Sequence, residues 1–299
     1  VTAGTPTVGF VGLGAMGSRM AARLLAADFR LLVYNRTPGP ADALRDLGAE
    51  VVATPAEVAE RADVICGCLL DGAAVAEVYE SAQGLIGSSR RDQVYVEHGT
   101  FAPQLARDLA ARLQERGATF LDAPVTGGPE AAAAGRLVAM VGGAEAAVAE
   151  MADVFRAYLG RVLHVGASGA GLQLKLVNQL LVTCHVAAAA EASALIRRLD
   201  LPLATSAEVL NAGWAASAML ARSLQRLQDG ELGVSDATIG GLIEPQRLIR
   251  DLAEEAGVSL ATTSAAARMF TEASDAGNGA ADLAAMVLTA EAAGTPVDS

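Results

Sequence analysis

Lys175 lies in an otherwise apolar stretch, Leu172 to Val182, directly after the turn Gly169-Ala-Gly171. An ammonium placed there enters a partly desolvated environment, where its neutral and charged forms come closer in energy, and that suits a general acid/base. Asn178 and Gln179 follow at i+3 and i+4, so on a helix the three side chains address one face and one substrate. The spacing alone fits equally well a snorkelling lysine on an amphipathic helix, with the amides as surface polar groups. Thr126-Gly127-Gly128 offers a second polar site. Backbone N–H groups of a Gly-Gly turn, with a hydroxyl beside them, can bind a carboxylate, although a plain tight turn has the same sequence.

A third segment has the spacing of a phosphate cradle. Gly12-Leu13-Gly14-Ala15-Met16-Gly17 follows the apolar run Val8–Val11 and precedes a helical run, Met20–Ala27. The first glycine permits the sharp turn, the second lets backbone N–H groups approach a pyrophosphate, and the third lets helix and strand pack closely. A second strand ends in Asn35-Arg36-Thr37, where a site selective for NAD would offer a carboxylate to the ribose hydroxyls. A guanidinium and a hydroxyl can instead hold a 2′-phosphate, so NADP is the expected cofactor, with NAD possible. Arg36 also reads as a solvated loop cation, and dual specificity stays open.

These residues need a scaffold, and the chain alternates apolar strands with helical stretches through its first half. Strands are expected at Val8–Val11, Leu31–Tyr34, Val64–Leu69, Val94–Glu97, Thr119–Asp122, Val138–Val141 and Val162–His164. That is the pattern of an α/β, Rossmann-type doubly wound parallel sheet. From about Gly169 it changes to an Ala- and Leu-rich run, Ala170 to Leu199, followed by further helices. The expectation is a dinucleotide-binding domain over 1–166 and an all-α domain over 167–299, joined by a long helix that helps bury a subunit interface. A homodimer or higher homo-oligomer follows from that.

The 299 residues carry 22 Lys and Arg against 34 Asp and Glu, a formal charge of -12. Such a surface repels nucleic acid and anionic membrane and leaves a small molecule as the expected partner. No basic start followed by a secretory apolar core is seen, and charges and glycines interrupt every apolar stretch of spanning length. A cytoplasmic protein with no membrane contact is expected. Three cysteines, two of them in Cys66-Gly-Cys68, read as buried small hydrophobes. His98, His164 and His185 are too scattered for a metal site.

Asp122-Ala-Pro-Val-Thr-Gly-Gly128 with Gly135 and Val141-Gly-Gly143, and Gly169-Ala-Gly-Leu-Gln-Leu-Lys-Leu-Val-Asn-Gln179, resemble the signatures of the β-hydroxyacid dehydrogenases. The resemblance runs from the N-terminal glycine turn to Gly277 and Asp282. It implies an N-terminal Rossmann-type domain, a helical domain that contributes to oligomerisation, and a catalytic lysine that falls on Lys175. It places Thr126, Gly127 and Gly128 on a substrate carboxylate with Asn178 sharing the anchor, Thr100 near the nicotinamide, and Leu69 and Leu70 at the cofactor's edge.

The departures bear on substrate more than on reaction. Gly99 stands where a serine is usual, and Leu69-Leu70-Asp71 replaces a more usual Leu-Pro segment. A gapless reading back from Gly257 puts Glu244 and Pro245 where many relatives carry a Lys-Asp pair, with Ala237 at an aromatic position; a gapped reading uses Arg250-Asp251. Pro129, Ala131 and Arg136 also replace commoner residues. Trp214, the only tryptophan, sits beside Gly213. It reads either as part of a mobile lid over a pocket between the domains or as a core or interface residue. Three function classes follow: a metal-independent dehydrogenase acting on small β-hydroxyacids or β-hydroxy-amino acids, an NADPH-dependent imine reductase, and a non-catalytic nucleotide-binding scaffold. Lys175 and the Asp122–Gly128 stretch count against the second, and Lys175 with Asn178 against the third.

Overall fold

In the computed structural model, which describes residues 6–293, the apolar segments pair into one nine-stranded sheet. The chain divides into two compact units, with the boundary between Lys175 and Leu176.

The first unit is built around β1 (Val8–Val11), whose neighbours β2 (Leu31–Tyr34) and β4 (Val64–Gly67) both run parallel to it. β3 (Glu50–Val51) extends the sheet beyond β2; β5 (Val94–Glu97) and β6 (Thr119–Asp122) extend it beyond β4, all parallel. Successive side chains alternate between faces. Val8, Phe10, Leu31 and Val33 enter one hydrophobic cluster, and Val11, Leu32 and Ile65 enter the other. Helices cover both clusters: Met20 and Leu24 of α1 (Gly17–Ala26), with α2 (Pro38–Arg45), α7 (Glu145–Glu150) and α8 (Ala152–Tyr158), pack on the first, and Val58 of α3 (Pro55–Arg61) and Tyr79 of α4 (Gly72–Glu80), with α5 (Pro103–Glu115), on the second. The strand order reverses between β1 and β4, so a crevice opens beyond their carboxyl ends.

Past β6 the sheet departs from the all-parallel expectation. β7 (Val125–Thr126) continues β6 after Ala123-Pro124, and both pair antiparallel with β8 (Leu137–Gly142), Asp122 opposite Gly142 and Thr126 opposite Val138. The segment Asp122–Thr126 is thus one arm of a hairpin whose turn is Gly127-Gly128 and α6 (Gly128–Ala133). Antiparallel neighbours need only such a short connection, whereas a parallel return needs a crossover of about a dozen residues or more. β9 (Leu159–Gly166) then pairs parallel with β8. β3 and β7 have two residues each, too few for a hydrophobic period, and β4 ends at Gly67, two residues short of the expected Leu69.

The second unit is helical. α9 (Ala170–Arg198) begins in the first unit and is followed by α10 (Leu203–Asn211), α11 (Ala218–Asp229), α12 (Ile243–Ala256), α13 (Ala261–Ala273) and α14 (Met286–Ala293). Ser217 caps α11 through the Leu220 N–H, and Gly230 and Gly257 end α11 and α12 in left-handed conformations. Val186, Ala190, Phe270 and Met286 share one core; Ala189, Ile196, Leu220 and Leu224 share another. Asp282, fully buried, accepts bonds of 2.7 and 2.6 Å from Arg222 and ties α11 to the start of the C-terminal segment.

α9 corrects one expectation. Its 29 residues reach a mean hydropathy of 1.4 in the most apolar window, enough in length and composition to cross a membrane. Its apolar residues are instead distributed among protein cores: Leu172 in the first unit, Val186, Ala189, Ala190 and Ile196 in the second.

Candidate active site

The glycine turn has the backbone its spacing requires. Gly12 has φ +84, and a Cβ there would lie 2.5 Å from the Cys68 carbonyl oxygen. Around Gly14 there is open space, whereas a Cβ at Gly17 would come within 2.0 Å of the Gly12 carbonyl oxygen. Turn, open approach and close packing therefore fall on the three glycines in that order, and no side chain caps the N-terminus of α1. A dinucleotide phosphate fits this cradle. The Asn35 side chain holds it in place: Oδ1 accepts from the Leu13 N–H at 2.9 Å, and Nδ2 donates to the Thr37 carbonyl and Oγ1 at 2.8 and 2.9 Å. Arg36 is exposed, with its guanidinium 3.5 Å from Glu77 of α4. Ala15, Met16 and Thr37 complete the rim, Ala15 and Thr37 exposed and Met16 half-buried.

Across the crevice, the loop after β4 carries Leu69, half-buried, and Leu70, exposed; the loop after β5 carries Thr100, half-buried. Asp71 caps α4 by accepting from the Ala74 N–H at 2.8 Å, which explains an acid at that position. His98 is buried, and its imidazole bridges the Ala123 carbonyl oxygen at 2.7 Å and the Tyr158 hydroxyl at 3.0 Å. Burial lowers its pKa to about 4, so the ring is neutral near pH 7 and spans the β5 and β6 ends as a structural link.

Lys175 is the only lysine in the chain, a signal present in the composition that spacing arguments pass over. It is 9% exposed, and burial lowers its pKa from 10.5 to about 8. Its helix is anchored from below by Asp122. That buried carboxylate accepts from the Gly169 N–H at 2.7 Å and the Leu172 N–H at 2.9 Å, joining the end of β6 to the first turn of α9. Two glycines leave the room: a Cβ at Gly142 would lie 2.6 Å from Asp122 Oδ1, and one at Gly171 would lie 2.4 Å from the Met140 carbonyl oxygen. In the sequence Asp122 is visible only as the first residue of a motif, because its partners lie 47 and 50 residues away. Asn178 and Gln179, both half-buried, follow Lys175 on α9, and Asn178 Oδ1 is buried without a hydrogen-bond partner among the described residues. Thr126, Gly127 and Gly128 form the hairpin turn, the two glycines at φ +133 and +75. Trp214 follows α10 in the second unit and is fully exposed, so it enters no core among the described residues.

Two family models match the chain: the NAD binding domain of 6-phosphogluconate dehydrogenase over residues 7–166, and the NAD-binding domain of NADP-dependent 3-hydroxyisobutyrate dehydrogenase over residues 169–290. L-threonate dehydrogenase of Cupriavidus necator is 32% identical over 94% of this chain and 94% of its own length. The protein belongs to the 3-hydroxyisobutyrate dehydrogenase family. Human mitochondrial 3-hydroxyisobutyrate dehydrogenase is 36% identical over 71% of this chain, and the matched region spans 62% of the human enzyme's length. A Salmonella typhimurium structure described as 3-hydroxyisobutyrate dehydrogenase superposes with a TM-score of 0.86 at 31% identity, covering 94% of this chain and 99% of that one.

Within this family, the departures on α12 have a simple local setting. Glu244 lies in the first turn and pairs with Arg247 at 2.6 Å, Pro245 is buried, and Arg250-Asp251 sits farther along the same helix. Gly257 ends the helix, at the position from which the gapless reading counts back.

Asp122→Ala leaves the Gly169 and Leu172 N–H groups buried without acceptors, a cost of about 1–3 kcal/mol each. The expected outcome is an early urea-unfolding transition, weakened by roughly that amount, together with loss of turnover larger than the loss of folded protein. Full turnover in the folded fraction would show that the anchor does not position α9.

Proposed function

We propose that the protein is an NAD(P)-dependent oxidoreductase, with NADP favoured, that interconverts a small β-hydroxyacid or β-hydroxy-amino acid with its semialdehyde or ketone. Lys175 carries this reading. Every other cationic side chain in the chain is arginine, which cannot give up its proton near neutrality, and the one amine retained is buried with its pKa at about 8. An amine so placed exchanges a proton with the reacting oxygen at little cost in either direction. A bound nicotinamide supplies the hydride chemistry at the adjacent carbon. The Thr126–Gly128 turn offers N–H and hydroxyl groups to a substrate carboxylate, which supports an acid as substrate. Arg36 and Thr37, with no acid at the end of β2, support the 2′-phosphate; Glu77 balances the guanidinium until that phosphate takes its place.

We also read the protein as a homodimer or larger homo-oligomer. Leu174, Leu181, Ala188 and Leu195 recur every seventh residue on α9 and are exposed, with Val177 beside them. An apolar seam of that period suits a second helix. Sedimentation at micromolar concentration is expected to give at least a dimer, and Leu181→Glu with Leu195→Glu to give a monomer. A wild-type monomer would overturn this reading.

The function is tested by NAD(P)H absorbance across a panel of 3-hydroxyacids, β-hydroxy-amino acids, semialdehydes and cyclic imines. Turnover of a hydroxyacid is expected; turnover of cyclic imines alone overturns the proposal. Oxidation needs Lys175 neutral, so kcat/KM for the alcohol rises with pH through about 8 and levels above it, whereas carbonyl reduction falls through the same pH. Lys175→Met is expected to cut both by about 10²- to 10⁴-fold with cofactor binding retained. Because Lys175 is the only lysine, the pH dependence of its acylation, read by peptide mass, gives its pKa directly.

Arg36→Ala removes a charge-assisted contact to the 2′-phosphate and is expected to weaken NADP by about tenfold or more, with little effect on NAD. Fluorescence titration with both cofactors checks this. Equal weakening of the two, or a clear wild-type preference for NAD, would replace NADP by NAD.

A further inference from the structure

Glu97 ends β5, is fully buried, and takes no part in the reading above. Its Oε1 accepts from two backbone N–H groups on different loops: Leu69, after β4, at 3.1 Å, and Gly99, after β5, at 2.9 Å. Oε2 faces the Tyr79 hydroxyl of α4 at 3.5 Å. Both N–H donors belong to the backbone, so their directions are fixed by the loops that carry them.

The neighbouring residues are cut to fit that carboxylate. A Cβ at Gly67 would lie 2.0 Å from Glu97 Oε2, and a Cβ at Gly99 would lie 3.0 Å from Oε1 and 2.6 Å from the Leu69 carbonyl oxygen. A serine, usual at position 99, is excluded here by the same contact. Neither glycine has a positive φ, so close approach to Glu97 and to the Leu69 backbone is what each supplies. The loops held this way carry Leu69, Leu70 and Thr100 at the carboxyl edge of β4 and β5, on the opposite side of the strand-order reversal from the loop bearing Arg36.

We propose that Glu97 is a positioning residue for the cofactor: by accepting both N–H groups with one oxygen, it locks the two loops in the arrangement that receives the nicotinamide half of the dinucleotide. This rests on the reading of the crevice as a dinucleotide site. Glu97 touches neither cofactor nor substrate; it acts through the Leu69 and Gly99 backbone. Burial raises its pKa to about 7, against the N–H bonds that pull it down, so the group is held there at an energetic cost that a surface glutamate would not bear.

The test compares two probes on the full chain by fluorescence and calorimetric titration: NADPH, and 2′,5′-ADP, which keeps the adenosine phosphate end and lacks nicotinamide. Glu97→Asp is too short to reach both N–H groups and is expected to weaken NADPH by about tenfold or more while 2′,5′-ADP stays within about twofold. Glu97→Gln keeps an acceptor oxygen at full reach and is expected to stay within about threefold of wild type for NADPH. Gly99→Ala, which keeps the glutamate but drives a methyl against the Leu69 carbonyl oxygen and Glu97 Oε1 and so forces the loops apart, is expected to repeat the Glu97→Asp pattern and decides the matter if Glu97→Asp does not fold. The proposal is overturned if Glu97→Asp and Gly99→Ala bind NADPH like wild type, if they lose both probes equally, if Glu97→Gln is no better than Glu97→Asp, or if neither disruptive variant folds. Wild-type protein that binds neither probe would instead remove the dinucleotide reading itself, and this proposal with it.

Discussion

The carboxylate of Asp122 is the contact on which the candidate site depends. It lies at the end of β6 and accepts the backbone N–H groups of Gly169 and Leu172, so the free donors at the start of α9 are satisfied by the sheet. The same residue begins the arm that ends in the Thr126–Gly128 turn. One side chain therefore links the helix that carries Lys175 to the strand that leads to the Thr126–Gly128 turn. The close approach is made possible by glycines at 142 and 171, where any side chain would collide with Asp122 or with the backbone around it.

Glu97 stands beside Asp122 in the parallel register of β5 and β6, and the Ala123 N–H donates to the Glu97 carbonyl oxygen at 2.8 Å. Two buried acids thus occupy neighbouring strand ends, one tying the loops of β4 and β5, the other tying α9. Both are matched chiefly by backbone N–H groups, which cannot swing away as a lysine or arginine chain can. Burial raises both carboxyls above their ordinary range, and the N–H bonds oppose that rise. The carboxyl edge of the sheet is therefore tied together by polar groups that water does not reach.

α9 illustrates how composition and context separate. Its hydropathy alone matches a membrane span, yet the same apolar residues serve distinct cores along its length, and the exposed remainder falls on one seven-residue repeat. Lys175 interrupts that apolar sequence where the helix emerges from the sheet. Its lowered pKa follows from burial, the sole cause of the shift, so the chemistry attributed to it depends on keeping water out.

What the sequence by itself determined is local in origin. The alternation of strands and helices, the long helix from Ala170, the roles of Gly12, Gly14 and Gly17, and the shared face of Lys175, Asn178 and Gln179 all follow from periods of 2 and 3.6 residues and from the steric needs of one turn. The tertiary structure alone decided the rest. It turned β8 antiparallel, because Asp122–Thr126 prolongs β6 into a hairpin arm instead of a crossover. It made Asp71 a helix cap, excluded a side chain at Gly99, and gave Asp122 and Glu97 partners that lie up to 50 and 28 residues away. Contacts at such separations leave no period in the chain. They exist only once the sheet has brought the strand ends together, which is why the two acids that organise the site were legible as residues and not as anchors.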